Sequence, residues 1–196
     1  MKKINATFLL ILFSIISISA NTNLDLKKSQ IEWVGKKITG SHNGTIQISS
    51  GNLEVKSNEI ISGEFIIDMS SIVCSDIEDE KYNLKFLDHL KSDDFFSVEQ
   101  YPTSKLVIKK GVILKENKNG WTHNIYADLT IKGITKEVVF PCKIVVNRND
   151  IVSAFSEFTV DRTQYGIEYK SSSFFPNIAD KAIDNEMYFK VNLYTK

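Results

Sequence analysis

The chain has 196 residues, with 24 basic and 24 acidic side chains, 42% hydrophobic residues and three prolines. Balanced charge without a clustered basic surface argues against nucleic acid as a partner. The low proline content and moderate charge argue against disorder. The length suits a single domain after removal of any targeting segment.

The first twenty residues have the layout of a cleavable secretion signal. Residues 1–5 carry two lysines and no acid, residues 6–18 are almost wholly apolar, and small residues follow up to Ala20. A basic start, a short apolar run and a small-residue exit are typical of a signal peptide. A membrane anchor is the alternative, but a spanning helix needs about 20 apolar residues. We therefore expect cleavage at or shortly before Ala20 and an exported domain over residues 21–196.

No second long apolar run follows, so the mature chain is not expected to be an integral membrane protein. Most of it alternates between apolar and polar residues. In residues 121–132, six apolar-leaning positions alternate with six polar-leaning ones, which indicates a strand with two different faces. Residues 106–114 and 187–193 repeat the pattern. Further strands are predicted at 30–38, 43–50, 59–69, 137–146 and 152–160.

Short turn signals separate the predicted strands. They occur at Asn43-Gly44, at Gly51-Asn52, at residues 117–120, at Gly133 and at residues 147–150. Such signals favour hairpin connections, so the strands form a meandering antiparallel sheet. Closure of that sheet into a barrel would remove its exposed edges. The sequence thus predicts an all-β fold, an eight-stranded antiparallel barrel.

One segment after the third predicted strand breaks the alternation. Within residues 78–92, apolar side chains follow helical spacing at Tyr82, Phe86, Leu87 and Leu90, which predicts a short helical insertion. Ser92-Asp93-Asp94 has the character of a cap for one more helical turn that carries Phe95 and Phe96. Residues 171–183 are irregular and predict a second flap.

Two cysteines, Cys74 and Cys142, would enter an oxidising compartment. One interpretation is a disulfide between them, and the other is two separate buried thiols, because sequence spacing does not show whether they meet. There is no C-x-x-C pattern, so neither a zinc ribbon nor a thioredoxin-type site is supported.

Signatures of catalysis and metal binding are missing from the sequence. There is no G-x-S-x-G and no glycine-rich phosphate loop, and His42, His89 and His123 form no H-E-x-x-H pattern. We predict no enzyme activity, no catalytic residue and no metal ion. The alternative is an enzyme that uses His42 or His123 with a carboxylate.

The surplus of aromatic residues, 12 Phe and 7 Tyr, leaves two interpretations open. An eight-stranded barrel can be packed solid or can hold one small ligand. A solid barrel would be an interaction protein whose apolar face joins a partner, and a hollow one would be a binding protein.

Six motifs, in order, resemble the YceI-like family. They are I-E-W-V-G-K at 31–36, G-S-H-N-G at 40–44, G-E-F-I-I-D-M-S-S-I at 63–72, D-H-L-K-S-D-D-F-F at 88–96 followed by Tyr101-Pro102, A-D-L-T-I-K-G-I-T-K at 127–136, and D-R-T-Q-Y-G-I at 161–167. Each motif is short, but the ordered set spans nearly the whole mature chain. Ala127 stands where the family usually has glycine, and the cysteines belong to no family motif.

The resemblance implies a lipocalin-like barrel in the bacterial periplasm that holds a polyisoprenoid, quinone-like or other amphiphilic lipid for transport, storage or stress protection. It also implies a homodimer, no catalysis and no cofactor other than a non-covalently bound isoprenoid or fatty lipid. An apolar tube gains about 0.8 kcal/mol for each CH₂ group that it removes from water.

Twelve residues are candidates for binding such a ligand. The apolar chain would contact Phe65, Ile67, Met69, Phe86, Leu90, Phe95, Phe96, Tyr101, Leu129 and Phe158. His42 and Arg162 are candidates for the head group, since arginine offers a planar fork of donors. For Arg162 the alternative is internal pairing in a structural turn. For Phe95 and Phe96 the alternatives are a helix docked on the barrel wall and an apolar gate.

Overall fold

The structure, a computed structural model, describes residues 20–56, 59–116, 118–147 and 152–196. In these ranges the elements run in the order β1 (Ala20–Asn23), β2 (Gln30–Lys37), β3 (Gly40–Lys56), β4 (Glu59–Cys74), α1 (Glu80–Lys91), β5 (Thr103–Ile113), β6 (His123–Ile131), β7 (Ile134–Val146), β8 (Val152–Asp161) and β9 (Ile183–Tyr194). The predicted signal peptide lies outside the described residues, apart from Ala20 at the start of β1, so its cleavage stays a prediction.

Strands β2 to β9 form a closed antiparallel barrel. Each strand pairs with its neighbours in sequence, and β2 also pairs with β9, which closes the sheet. Closure leaves these strands without an exposed edge. Strand β1 is an addition that pairs with the last part of β3, with Ala20 opposite Val55. The predicted eight-stranded barrel is confirmed, and α1 follows β4, the third barrel strand, as expected.

Two of the predicted turns are wrong, because the glycines lie inside the long strand β3. Gly44 pairs with Cys74 across the sheet, and a Cβ atom there would lie 1.8 Å from the Val73 carbonyl oxygen. A Cβ atom on Gly51 would lie 2.7 Å from the Phe65 ring. Both glycines permit close approach rather than a turn.

The turn predicted at Gly133 is confirmed. Lys132 and Gly133 both have positive φ, 51° and 73°, as a tight two-residue hairpin requires. Residues 118–120 form a 3₁₀ turn. The remainder of the predicted turns, residue 117 and residues 148–150, lies outside the described residues.

The interior divides into two clusters along the barrel axis. The helix-end cluster lies beneath α1 and includes Trp33, Met69, Leu90, Phe95 and Tyr165. The far-end cluster includes Leu53, Ile60, Phe65, Ile125 and Phe140. Strand β6 contributes to both, because every second residue from His123 to Ile131 is buried, as the alternation in its sequence predicts.

Helix α1 covers one end of the barrel. The Asp79 carboxylate accepts a hydrogen bond from the Tyr82 amide at 2.9 Å and caps the first turn. Its buried side chain is Leu90, and Phe86 and Leu87 are partly buried against the helix-end cluster.

The further helical turn predicted after Ser92 is wrong. The chain instead makes hydrogen-bonded turns, and the Phe96 amide donates to the Leu90 carbonyl at 3.1 Å. Within the described ranges, no helix has the length and apolar character needed to cross a membrane.

Candidate ligand-binding cavity

The barrel encloses a cavity of about 560 Å³. Members of both clusters line it, including Trp33 and Met69 from the helix end and Ile60 and Phe140 from the far end. The cavity therefore extends along the barrel from one cluster to the other. Its volume falls in the range of roughly 300–1,000 Å³ that small-molecule sites occupy. The barrel is hollow rather than packed solid.

Aromatic rings form one wall of the cavity. Phe158 stacks on Phe140 with ring centroids 4.4 Å apart and contacts Phe189 at 5.7 Å. Trp33 on β2 lines the helix end, and its indole Nε1 donates to the Thr45 carbonyl at 3.3 Å. Because that N–H is satisfied by the backbone, the ring presents apolar surface to the cavity.

Eleven of the twelve predicted residues line this cavity. They are His42, Phe65, Ile67, Met69, Phe86, Leu90, Phe95, Phe96, Leu129, Phe158 and Arg162. Tyr101 is the exception and is not among the lining residues. Its ring lies against Gly133 in the β6–β7 turn, so close that a Cβ atom on Gly133 would be 2.8 Å from it. The Tyr101-Pro102 pair leads into β5 at the rim of the barrel, outside the bore.

Charged and titratable lining residues gather at the helix end, which we call the mouth. They come from the β2–β3 hairpin, from α1, from the segment between β8 and β9 and from the start of β9. They are Lys36, Lys37, His42, His89, Lys170, Asp180, Lys181, Asp184 and Glu186. The segments meet there, since Lys37 is opposite Ile183 in the sheet and the His89 ring contacts Tyr169 edge-on at 4.6 Å. A ligand with a polar group would place that group at this end.

Phe95 and Phe96 belong to the mouth. Phe95 is 8% exposed, and its ring lies 5.1 Å from His89 and 5.5 Å from Tyr169. Phe96 is partly buried against the same cluster. The two side chains are thus docked on the barrel end and form part of the cavity wall there. Their role as a gate stays a prediction.

Arg162 is held by the backbone rather than presented to a ligand. Its guanidinium donates from Nε to Asp184 O at 2.9 Å, from Nη1 to Ile167 O at 2.6 Å and from Nη2 to Ile183 O at 3.1 Å. The side chain is 2% exposed. Burial lowers the pKa of the guanidinium, while the nearby carboxylates of Asp161 and Asp184 oppose that shift. Of the two interpretations for Arg162, the geometry favours the internal one.

His42 lies at the mouth with its ring 4.7 Å from Phe86. Its Nδ1 is 3.0 Å from the Asp76 carboxylate. Partial burial opposes ionisation of Asp76, but hydrogen bonds from the Asn43 amide, the Cys74 thiol and His42 outweigh it and lower the pKa of the carboxyl. His123, by contrast, is buried, and its Nδ1 lies 2.8 Å from the Thr122 hydroxyl.

The two cysteines are free thiols in different clusters. Cys74 belongs to the helix-end cluster and Cys142 to the far-end cluster. A disulfide between them is therefore not formed, and the alternative of two separate buried thiols describes the structure. Cys142 lines the cavity, and burial raises the pKa of its thiol to about 12.

Several lining residues were not among the binding residues predicted from the sequence. Examples are Trp33, Ile46, Phe140, Met187 and Phe189. Alternation within each strand identifies the inward positions, and Met187 and Phe189 do lie in an alternating run. Alternation does not show which inward side chains face open space and which face each other, because that depends on barrel closure.

The fold and the cavity define a closed, hollow antiparallel β-barrel with an apolar bore and a polar mouth. The sequence matches the YceI-like domain over residues 23–194, and the chain belongs to that family. A search of curated protein sequences found no match.

Solved structures with the same fold include BcnA from Burkholderia cenocepacia, at 22% identity and a TM-score of 0.69, covering 88% of this chain and 99% of that one. A polyisoprenoid-binding domain from Saccharophagus degradans matches at 11% identity and a TM-score of 0.63, covering 89% and 97%. YceI from Campylobacter jejuni matches at 15% identity and a TM-score of 0.51, covering 100% and 99%.

Proposed function

We propose that this protein is a periplasmic binding protein that holds one amphiphilic lipid, such as a polyisoprenoid or a quinone-like molecule, inside the barrel. The observation that carries the proposal is the apolar cavity of about 560 Å³ with charged residues gathered at one end. The protein would carry, store or sequester the lipid without changing it chemically. The predicted signal peptide supports an exported location, and the similarity in fold to the polyisoprenoid-binding domain from Saccharophagus degradans supports the class of ligand.

The energetics of burial favour a chain-like ligand. Each CH₂ group that leaves water contributes about 0.8 kcal/mol, so a chain of several carbon atoms would gain enough to offset the entropy lost on binding. The bore offers the rings of Phe140, Phe158 and Phe189 as contact surface. Specificity for a head group would come from the mouth, where Lys36, Lys37 and other charged residues can reach it.

The first experiment asks whether the protein carries a lipid. Protein purified from its own host is examined by native mass spectrometry and by organic extraction, and the delipidated protein is melted with and without added prenyl lipid. We expect a co-purified apolar molecule and a higher melting temperature with lipid, since a ligand that binds the folded state stabilises it by mass action. An empty protein whose melting temperature does not respond to prenyl lipids or quinones would contradict the proposal.

A blocking variant tests whether the lipid occupies the bore. Ala154 on β8 lines the cavity and packs on the far-end cluster, so Ala154→Phe should fill space and weaken lipid binding by about tenfold or more. Ser153→Phe is the matched control, because adjacent side chains on a strand point to opposite faces. Equal binding by the two variants would place the lipid elsewhere.

The two tryptophans give a direct optical test. Trp33 lines the cavity, whereas Trp121 stacks on Phe155 with centroids 5.7 Å apart and is not among the lining residues. In a Trp121→Phe variant, emission from Trp33 should change on lipid addition. In a Trp33→Phe variant, emission from Trp121 should change much less, because only its stacking partner Phe155 lines the cavity. A response confined to Trp121 would argue for a surface site.

A further inference from the structure

A histidine, a cysteine and an aspartate meet beside the mouth. The potential ligand atoms of His42, Cys74 and Asp76 all lie within 4.8 Å of one another. The His42 Nδ1 is 3.0 Å from Asp76 Oδ2, and the Cys74 Sγ is 3.2 Å from Asp76 Oδ1. Across the residue ranges that the structure describes, these three are the histidine, cysteine and acidic side chains that lie close enough together to share one ion.

The separations fit a small divalent ion. Zinc bonds of about 2.0–2.2 Å to nitrogen and oxygen and about 2.3 Å to sulfur place tetrahedral ligand atoms roughly 3.3–3.8 Å apart. His42 and Cys74 approach different oxygens of the Asp76 carboxylate, at 3.0 and 3.2 Å. With one atom from each residue, the set lies within 4.8 Å, so shifts of under about 1.5 Å reach that geometry. A thiolate, an imidazole and a carboxylate are all ligands that zinc takes in proteins.

Hydrogen bonds hold the backbone around the cluster in a fixed position. The Asn43 amide donates to Asp76 Oδ1 at 3.0 Å, and the Ser75 amide donates to the Asn43 carbonyl at 2.8 Å. The side-chain amide of Asn83 on α1 donates to the carbonyls of Cys74 and Ile77 at 3.0 and 2.9 Å. Supporting contacts of this kind orient metal ligands and add to affinity.

The cluster is also reachable from outside. A surface groove lined by His42, Asp76, Glu78 and Asp79 adjoins it. The acidic side chains there would attract a cation, and the groove leaves room for a water molecule as a fourth ligand. Cys74 itself is buried at 7% exposure.

We propose that His42, Cys74 and Asp76 bind one Zn²⁺ ion with three protein ligands and one water. The ion would link the start of β3 with the end of β4 and with the loop that leads to α1, beside the mouth of the cavity. On binding, the Cys74 thiol releases its proton to solvent and the thiolate sulfur coordinates the zinc ion, with no change of oxidation state. His42 also lines the cavity, but the zinc site needs no ligand in the bore, so the delipidated protein should bind zinc.

Titration of the delipidated, metal-free protein with zinc alone tests the proposal. We expect one ion per chain, with affinity reduced by more than about tenfold in each of His42→Ala, Cys74→Ser and Asp76→Asn, since loss of even a supporting residue costs roughly 10- to 100-fold. Cobalt(II) should give a thiolate-to-metal charge-transfer band in the wild type that Cys74→Ser abolishes. Zinc should also protect Cys74 from alkylation.

The chain supplies matched controls. His89 and Asp94 form a second histidine–aspartate pair, 3.1 Å apart. Among the residues that the structure describes, however, the three-residue grouping that includes a thiol contains His42 and not His89. His89→Ala should therefore reduce zinc affinity far less than His42→Ala, although His89 lines the same groove. Cys142→Ala, in the far-end cluster, should leave zinc affinity unchanged.

Three results would each overturn the proposal: wild-type protein that takes up no zinc, a cobalt spectrum without the thiolate band, or zinc affinity unaffected by Cys74→Ser. If Cys74→Ser fails to fold in chelator, the wild-type cobalt spectrum and the zinc affinity of His42→Ala decide it.

Discussion

The two ends of the barrel are built differently. At the far end, buried apolar side chains such as Phe65 and Ile60 pack together around the end of the cavity, which both of them line. At the mouth, α1 and the irregular segment before β9 cover the opening, and polar contacts fasten them: Arg162 through three carbonyls and Asn83 through two. Apolar packing is the main contribution to stability at the far end. Polar clamps at the other end hold segments together while leaving room for a ligand and its head group.

The far end should therefore show the largest cost of a single substitution. Phe65 is 3% exposed and fits against Gly51 and Gly63, so Phe65→Ala should lower the free energy of unfolding by about 3–5 kcal/mol. Urea unfolding of the variant and the wild type measures this difference in free energy. Phe174→Ala at the mouth is the control, because Phe174 is 47% exposed and should change stability by under about 0.5 kcal/mol. A loss of stability at Phe65 as small as that at Phe174 would mean that apolar packing contributes little to stability at the far end.

Arg162 tests the polar clamp at the mouth. Replacement by Ala removes donors from three carbonyls, and only the bond to Ile167 O is fully buried. A group left buried and unpaired costs about 1–3 kcal/mol, so we expect a loss of about 3 kcal/mol in urea unfolding. Arg162→Lys keeps a charge but not the planar fork, and should recover part of the loss. A loss as small as that of Lys105→Ala, which breaks only an exposed ion pair with Glu64, would show that the clamp contributes little.

The difference between the ends also explains what the sequence could predict. Alternation identified eight barrel strands, because a strand with one buried face must alternate. Gly44 and Gly51 led to two wrong turn predictions. The sequence alone does not distinguish a glycine that allows close approach of the backbone from one that makes a turn. The cluster of His42, Cys74 and Asp76 has no sequence spacing that marks it, because β3 reaches β4 only through sheet register. Arg162 was recognised in its motif, but its carbonyl partners on β9 depend on the tertiary fold.

Helix α1 should be the less stable part of the covered end. Leu90 is its buried side chain, so local opening should need less free energy than opening of the barrel strands. Asn83→Ala removes two hydrogen bonds of about 1 kcal/mol each and should speed hydrogen exchange of the α1 amides by roughly tenfold or more, with little effect on β6. The control is Leu84→Ala, since Leu84 is 55% exposed. Faster exchange across the whole barrel would mean that α1 and the strands open together.

The smallest effect concerns a hydroxyl buried within the helix-end cluster. Tyr165 is 1% exposed, and its hydroxyl has no hydrogen-bond partner in the described part of the chain. An unpaired buried hydroxyl costs about 1–3 kcal/mol. Tyr165→Phe should therefore raise the free energy of unfolding by about 1 kcal/mol at neutral pH.

The same substitution should have a larger effect in alkali. Burial raises the pKa of Tyr165 to about 12, whereas an unfolded tyrosine titrates near pH 10. A raised pKa in the folded state means that wild-type stability is fully present below about pH 10 and falls as pH rises towards 12, because the unfolded chain loses the proton first. Tyr165→Phe lacks this loss, so its advantage over wild type should widen between pH 10 and 12. A constant difference across that range would mean that the hydroxyl reaches solvent, and that the mouth is more open than the packing around Tyr165 indicates.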